Sequence, residues 1–311
     1  MLRLLYGALS LVFISFVAFW GDELAPGDQA LALAGEKARP EAVERLREQL
    51  GLNRPWPIRY LEYAGNAAQL DFGHSYFGTK EPVKDKLQRA LPLTLKVALL
   101  AICLAAAVGI LLGTIAAIYE NRFADRAVLT LSTLGVTIPN FVLAPLLVLV
   151  FALNLNYLPT TWEVESKRVA PDFFYLLLPV IVLAARPMAS LTRLTRASMV
   201  DTLRQEFIKL ATAKGVPRWR VYFKHALRNA ILPVLTAIGT NFGFLLTGSF
   251  TVETIFSIPG LGSEAILAIR NGDKPMIMAT ILISGALFIL INLVVDLILP
   301  IIDPRIRESQ V

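Results

Sequence analysis

The chain has 311 residues, 55% of them hydrophobic and 17% charged, with a mean hydropathy of +0.59. Soluble domains are usually about 45–50% apolar and about a quarter charged, so this composition speaks against an ordinary water-soluble globule. The net charge of +6 does not point to nucleic acid, because ten Lys/Arg against two acids fall within residues 186–228, between apolar blocks. A basic loop so placed marks a cytoplasmic membrane face, and no basic stripe interleaved with aromatics accompanies it. One cysteine, Cys103, and two distant histidines, His74 and His225, offer no disulfide and no metal site.

The apolar blocks predict an all-α polytopic membrane protein with about six transmembrane helices, each long enough for a hydrocarbon slab about 30 Å thick. The first helix falls within residues 1–20. Its apolar block, 4–20, exceeds the usual signal-peptide core of about 7–15 residues, so it reads as a retained span despite the cleavage-like Ala30-Leu31-Ala32. Residues 21–91 carry ten basic and eleven acidic residues and form a small extracytoplasmic subdomain. Within it 42–50 reads as an amphipathic helix, ended by Gly51, Pro55 and Pro57.

Residues 92–299 read as a five-helix transmembrane core. Its first span covers 92–119, with Lys96 snorkelling from one turn inside the outer end. A polar turn at 120–126 follows. Residues 127–162 carry no charge and are too many for one straight span, so the helix is placed at 127–153 with a bend near Pro139 or Pro145. Further spans cover 173–189, 230–250 and 276–299, with a cytoplasmic loop at 190–229, an outer loop at 253–275 and a tail at 300–311. Asp296 falls near the cytoplasmic rim of the last span. This arrangement puts both termini, the 120–126 turn and the Arg305/Arg307 tail on the cytoplasmic side.

No glycine is followed by lysine, so the P-loop of a nucleotide hydrolase is missing. The span centres, so placed, hold no ionisable group of the kind an ion-coupled carrier uses. Paired buried carboxylates are lacking too, which leaves no catalytic, cofactor or metal site in the chain. A stand-alone secondary transporter or a membrane enzyme is disfavoured, and any transport draws its energy from elsewhere. The positive signal lies in the basic loop. Residues 200–214 read as a helix with Leu203, Phe207, Leu210 and Ala211 on one face, Gly215 as its stop, and Pro217 opening a second helix over 217–228 that carries Trp219, Val221, Phe223 and Leu227. The pair makes either a docking knob or a basic face lying on anionic lipid.

The string Phe207-Ile208-Lys209-Leu210-Ala211-Thr212-Ala213-Lys214-Gly215-Val216-Pro217, followed by His225-Ala226-Leu227-Arg228-Asn229-Ala230-Ile231-Leu232-Pro233, resembles the coupling loop of ATP-binding cassette importer permeases of the dipeptide/oligopeptide branch. Pro26-Gly27-Asp28, Leu50-Gly51-Leu52-Asn53-Arg54-Pro55, Asp71-Phe72-Gly73-His74-Ser75, residues 193–199, residues 252–262 and Asp303-Pro304-Arg305 extend the resemblance over essentially the whole chain. The glutamate-alanine-alanine of other importers is Lys209-Leu210-Ala211 here, a departure normal in the peptide branch.

The resemblance implies a type I ABC importer permease in the cytoplasmic (inner) membrane of a bacterium. Its partners would be a second homologous permease, two ATP-binding cassette ATPase subunits that hold the ATP and Mg, and an extracytoplasmic substrate-binding protein. The cargo would be di- or oligopeptides, or in the same architecture a nickel chelate, glutathione or a sugar. Ala211, Ala213, Lys214, Gly215, Pro217, Trp219, Val221 and Phe223 would couple to an ATPase subunit, the glycine letting two helices meet at a sharp angle. Glu253, Phe256, Pro259 and Gly260 would form an outer gate or binding-protein contact, or else a plain loop. Thr133, Thr137, Asn140, Thr240, Asn241 and Thr247 are polar groups within the spans that either line the pore or pack helices.

Overall fold

A computed structural model describes residues 2–24, 29–35, 38–163 and 171–302. Pro26-Gly27-Asp28, most of the 163–172 loop and the tail beyond Ile302 lie outside the described residues, as do the side chains of Thr247 and Asp296. Among the described residues the chain is helical, apart from turns and one isolated bridge, His74 to Pro82.

The helices are α1 (Leu2–Leu24), α2 (Gln29–Ala34), α3 (Pro40–Gln49), α4 (Trp56–Ala68), α5 (Val83–Ile118), α6 (Phe123–Thr137), α7 (Asn140–Leu147), α8 (Asp172–Leu203), α9 (Glu206–Ala213), α10 (Arg218–Arg220), α11 (Leu227–Ile255), α12 (Leu261–Asn271) and α13 (Lys274–Ile302). Two π-helical stretches, Val148–Asn154 and Val221–Ala226, continue α7 and join α10 to α11. Among the described residues five helices are long and apolar enough to cross a membrane, or six if α6 and α7 with its π stretch, bent by 106°, form one broken span. The break falls where Pro139 pushes Ile138 into extended backbone, ψ 117°, as the residue before a proline prefers. Of the two proline sites for the expected bend, Pro139 is the one used; Pro145 stays inside α7.

Several boundaries move outward from those read in the sequence. The second span's helix starts at Val83 and runs through Pro92. The fourth does not stop at 189 but continues to Leu203. The fifth runs from Arg218, through the π turn, to Ile255. Arginine is a good helix former, so the end of an apolar block is not the end of its helix. Pro92, Pro179, Pro187 and Pro233 lie inside these helices without ending them, as membrane helices tolerate. The expected single helix at 200–214 is divided at Arg204-Gln205, where Gln205 turns extended before α9.

The chain divides into two compact units, residues 1–93 with 259–289 and residues 94–258 with 290–311. In the first unit α4 docks on α1. Tyr60 shares a hydrogen bond with Ser15 at 3.0 Å, and Arg59 pairs with Glu23 and lies 5.9 Å from the Phe19 ring. Burial pushes the Tyr63 phenol beside them up to about 12, with Tyr60 and Asp22 adding to the shift. The apolar core joins Val83, Leu87 and Ala90 of α5 to Leu261 and Ala268 of α12 and to Met276 and Ala279 of α13. Asp273, buried between α12 and α13, accepts hydrogen bonds from the Ser75 hydroxyl and, at 3.0 Å, from the Tyr76 N–H.

In the second unit α8 is the central helix. Its apolar window is two-thirds buried (67%), against 33% for each of α5 and α11. Glycines set the closest approaches. A Cβ at Gly113 of α5 would lie 2.5 Å from the Thr192 carbonyl oxygen of α8 and 2.6 Å from Thr195 Cβ, and one at Gly109 would lie 2.9 Å from Leu191 Cβ. Gly109 and Gly113 are four apart, the small-residue spacing that lets membrane helices touch backbone to backbone. Near the end where α6 begins, Asp125 is buried and accepts both Nε (2.5 Å) and Nη2 (2.6 Å) of Arg196 on α8. The N–H of Asn121 adds a third bond at 2.8 Å.

Candidate functional site

Three places carry the residues singled out above. The first is a pair of cavities in the second unit, of about 360 and 640 Å3, which share Val136, Asn140 and Arg186 in their linings. Leu183, Arg186, Pro187, Ser190 and Arg193 of α8 line the larger one. Their spacing of three, four, seven and ten residues from Leu183 puts them in a single stripe along the helix. Asn140, which opens α7 after the break, lines both cavities; Thr137 lines the smaller and Asn241 the larger. Asn241 spends its amide on the Ala237 carbonyl at 2.7 Å, which leaves its oxygen for the cavity.

Three of the six expected pore residues therefore line this pair of cavities: Thr137 the smaller, Asn241 the larger and Asn140 both. Thr133 and Thr240 line neither cavity; both are exposed and return their hydroxyls to the carbonyls of Leu129 and Thr236 in their own helices. Thr247 lies outside the described side chains. The expectation that span centres hold no ionisable group fails at Arg186. With α8 reaching Leu203, Arg186 is the fifteenth of 32 helical residues, about 21 Å from the start of the helix at 1.5 Å per residue. Its period with Ser190 and Arg193 was visible in the sequence, but the early end assigned to the span concealed it.

The second place is the knob around Gly215. The Gly215 N–H bonds to the Thr212 carbonyl at 3.0 Å and the Val216 N–H to the Ala211 carbonyl at 3.2 Å, the paired closure of a Schellman cap. Gly215 has φ +77° and nothing within 4 Å of a modest Cβ. The glycine is thus needed for its left-handed backbone, which turns the chain between α9 and α10. Pro217 then caps the helix that starts at Arg218.

Trp219 and Phe223 are 60% and 50% exposed, and Leu210 joins them at 57%. The Arg220 guanidinium lies 5.1 Å from the Trp219 ring. Ala213, Lys214 and Pro217 are exposed and Ala211 half-buried. Val221 is a correction: it is buried with Ile208, Met199, Val200, Ala226 and Ala230 and so anchors the knob from within. The first helix also presents a different face from the one expected, Ile208 being buried while Phe207 and Leu210 point out, because the break at Arg204-Gln205 resets the helical phase.

The third place is the end of α11. Glu253 was expected in an outer loop. It lies instead in the last turn of the helix, 0% exposed, and accepts the Thr94 hydroxyl at 2.8 Å. Phe256 is also buried, and its carbonyl receives the Trp162 N–H at 2.7 Å. Neither is placed within this unit to touch an outside protein. Pro259 is exposed, and Gly260 is buried at the start of α12, where its N–H bonds to the Ser263 hydroxyl at 3.0 Å. On α12, burial raises the Glu264 carboxyl above its usual value while Lys86 and Arg89 oppose the rise.

A broken span, a central helix with a cationic stripe and a capped apolar knob together are what a transport subunit needs, and the comparisons agree. Residues 109–308 match the family described as binding-protein-dependent transport system inner membrane component, and residues 1–98 match its N-terminal companion. The chain belongs to this family.

The permease is 38% identical, over 91% of each chain, to a peptide ABC transporter permease protein of Sinorhizobium fredii. It is 39% identical to the glutathione transport system permease protein of Escherichia coli K12, over 98% of this chain and 97% of that one. The crystal structure of an amino acid ABC transporter with histidines shares its fold at a TM-score of 0.51 and 18% identity, over 71% of this chain and 94% of that chain. It is a multi-pass membrane protein of the permease kind.

Proposed function

We propose that this permease is one half of the pore of an ATP-driven importer of short peptides in the bacterial cytoplasmic membrane, with both termini inside. The single observation that carries this reading is near end-to-end similarity to permeases named for a peptide system and for glutathione, itself a tripeptide. Two arginines that line the cavity, with no ion pair among the described residues, favour a cargo with a carboxylate over a neutral sugar. A second homologous permease would complete the pore, and two ATPase subunits binding Mg and ATP would supply the energy. A binding protein would deliver the cargo to the side where residues 21–91 form a small subdomain.

In this reading the loop at 190–229 contributes the coupling knob. Trp219, Phe223 and Leu210 would seat in a groove of one ATPase subunit, with Gly215 and Pro217 fixing the elbow and Val221 and Ala226 holding it to α8. Closure of the nucleotide sites would move the knob as a rigid body and reorient the long helices joined to it. Glu253 and Phe256 would serve a gate by fixing the end of α11 from inside.

The test is reconstitution of the permease with its partner permease, ATPase subunits and binding protein in proteoliposomes. Uptake of a labelled tripeptide is expected only with loaded binding protein outside and Mg-ATP inside. Peptide uptake by this chain alone, driven by a proton gradient, would contradict the reading.

A further inference from the structure

We propose that Arg186 is a carboxylate-binding subsite in the translocation cavity, selecting cargo by its carboxylate end. This rests on the peptide-importer reading above and deepens it.

Arg186 stands mid-way along the most buried long helix of its unit. A charge at that depth is costly and is kept where it faces water or serves a path. Here it does face a cavity, and it lines both of them. It has no hydrogen bond and no ion pair among the described residues, and the same holds for Arg193 two turns along the stripe. By contrast Arg196, three residues further on, is fully engaged by Asp125. A structural role in an ion pair thus explains Arg196 and leaves Arg186 unexplained. Among the described residues no acid lines either cavity, so their local field is positive.

The polar neighbours suit the same ligand. Asn140 and Ser190 share the larger cavity with Arg186, and neither side chain has a hydrogen-bond partner among the described residues. A guanidinium takes a carboxylate through two parallel N–H···O bonds, and an amide and a hydroxyl at its flank can donate to the remaining lone pairs. Thr137 and Thr251 complete the polar rim of the smaller cavity. Leu183, Phe244 and Leu245 supply an apolar wall for side chains of varied shape. With no acid among the described lining residues to bind an ammonium, the cavity reads one end of a zwitterionic peptide and leaves the other free. That asymmetry suits a conduit that must release what it holds.

The experiment uses the reconstituted complex with saturating loaded binding protein and three probes: trialanine, trialanine amide, and Ala-Asp-Ala amide. The variants are Arg186→Gln and Arg186→Lys. For trialanine, Arg186→Gln is expected to slow uptake about tenfold, the scale of one lost charge-assisted bond, while uptake of trialanine amide changes less than about twofold; Arg186→Lys, which keeps the charge but not the planar fork, should recover only part of the loss. If Ala-Asp-Ala amide behaves like trialanine, the subsite accepts a side-chain carboxylate; if it behaves like trialanine amide, the subsite takes only the C-terminus. Either result supports the subsite. Arg186→Gln slowing all three peptides equally, or none, would overturn the subsite while leaving the importer standing. No uptake of any probe by the wild-type complex overturns the peptide reading and this inference with it.

Discussion

Gly113→Leu is expected to leave little folded permease in the membrane. A single added carbon already sits 2.5 Å from the Thr192 oxygen and 2.6 Å from Thr195 Cβ, both on α8, the helix around which the second unit is built. Neither neighbour can yield, since one is backbone and the other a β-branched carbon held by its own helix. Overpacking usually costs about 1–3 kcal/mol, and a leucine against backbone should exceed about 3 kcal/mol, a large share of a total stability of about 5–15 kcal/mol. The measurement is thermal unfolding in detergent together with the yield of membrane-inserted protein. Gly65→Ala on α4 is the control, because nothing lies within 4 Å of its Cβ and the helix gains about 1 kcal/mol of propensity. A Gly113→Leu protein as stable as the wild type would mean that α5 and α8 do not approach as described.

Asp125→Ala should be the next most damaging change away from the cavity. It leaves the Arg196 guanidinium without the two bonds of 2.5 and 2.6 Å and removes the acceptor of the Asn121 N–H. Removing one partner of a buried pair costs about 3–5 kcal/mol, because the other charge is stranded. Arg196 keeps 22% side-chain exposure against 3% for Asp125, so the lower end of that range is expected. The double variant Asp125→Leu with Arg196→Leu should cost less than the sum of the singles by more than about 1 kcal/mol. Additive losses in a denaturant-unfolding cycle would show that the pair contributes no coupling. Asn121, at φ +64°, depends on the same carboxylate for its turn, so the connection between α5 and α6 should loosen together with α8.

Composition and apolar runs made the membrane class, the span count and the broken third span legible, since length and hydropathy are local properties. The Pro139 bend was equally local. Helix ends were not, because the sequence reading let charge stop a helix, whereas α8 carries Arg186, Arg193 and Arg196 without interruption. That one misjudged end concealed the cationic stripe. Glu253 was misplaced for the same reason: an acid after an apolar block reads as a loop residue, yet burial beside Thr94 satisfies it inside the last turn of α11. Gly109 and Gly113 carried a readable four-residue spacing, but only packing identifies α8 as the helix they meet. The Asp125–Arg196 pair joins residues 71 apart and had no local signature at all.

In the knob, exposed Trp219 and Phe223 and buried Val221 alternate within five residues that pass from α10 into the π turn, so no simple helical period sorts anchors from core. This alternation permits a clean test of the claim that the permease is driven through this contact. In the assembled, reconstituted complex, Trp219→Asp combined with Phe223→Asp changes exposed groups and should leave the thermal midpoint of the permease within about 2 °C of the wild type, as surface substitutions usually do. The decisive measurement is ATP hydrolysis stimulated by loaded binding protein. The account predicts a fall of more than about tenfold, as expected when central aromatic anchors are lost from an interface. Stimulated hydrolysis and peptide uptake at wild-type rates would contradict it and return the basic loop to a face that merely rests on lipid.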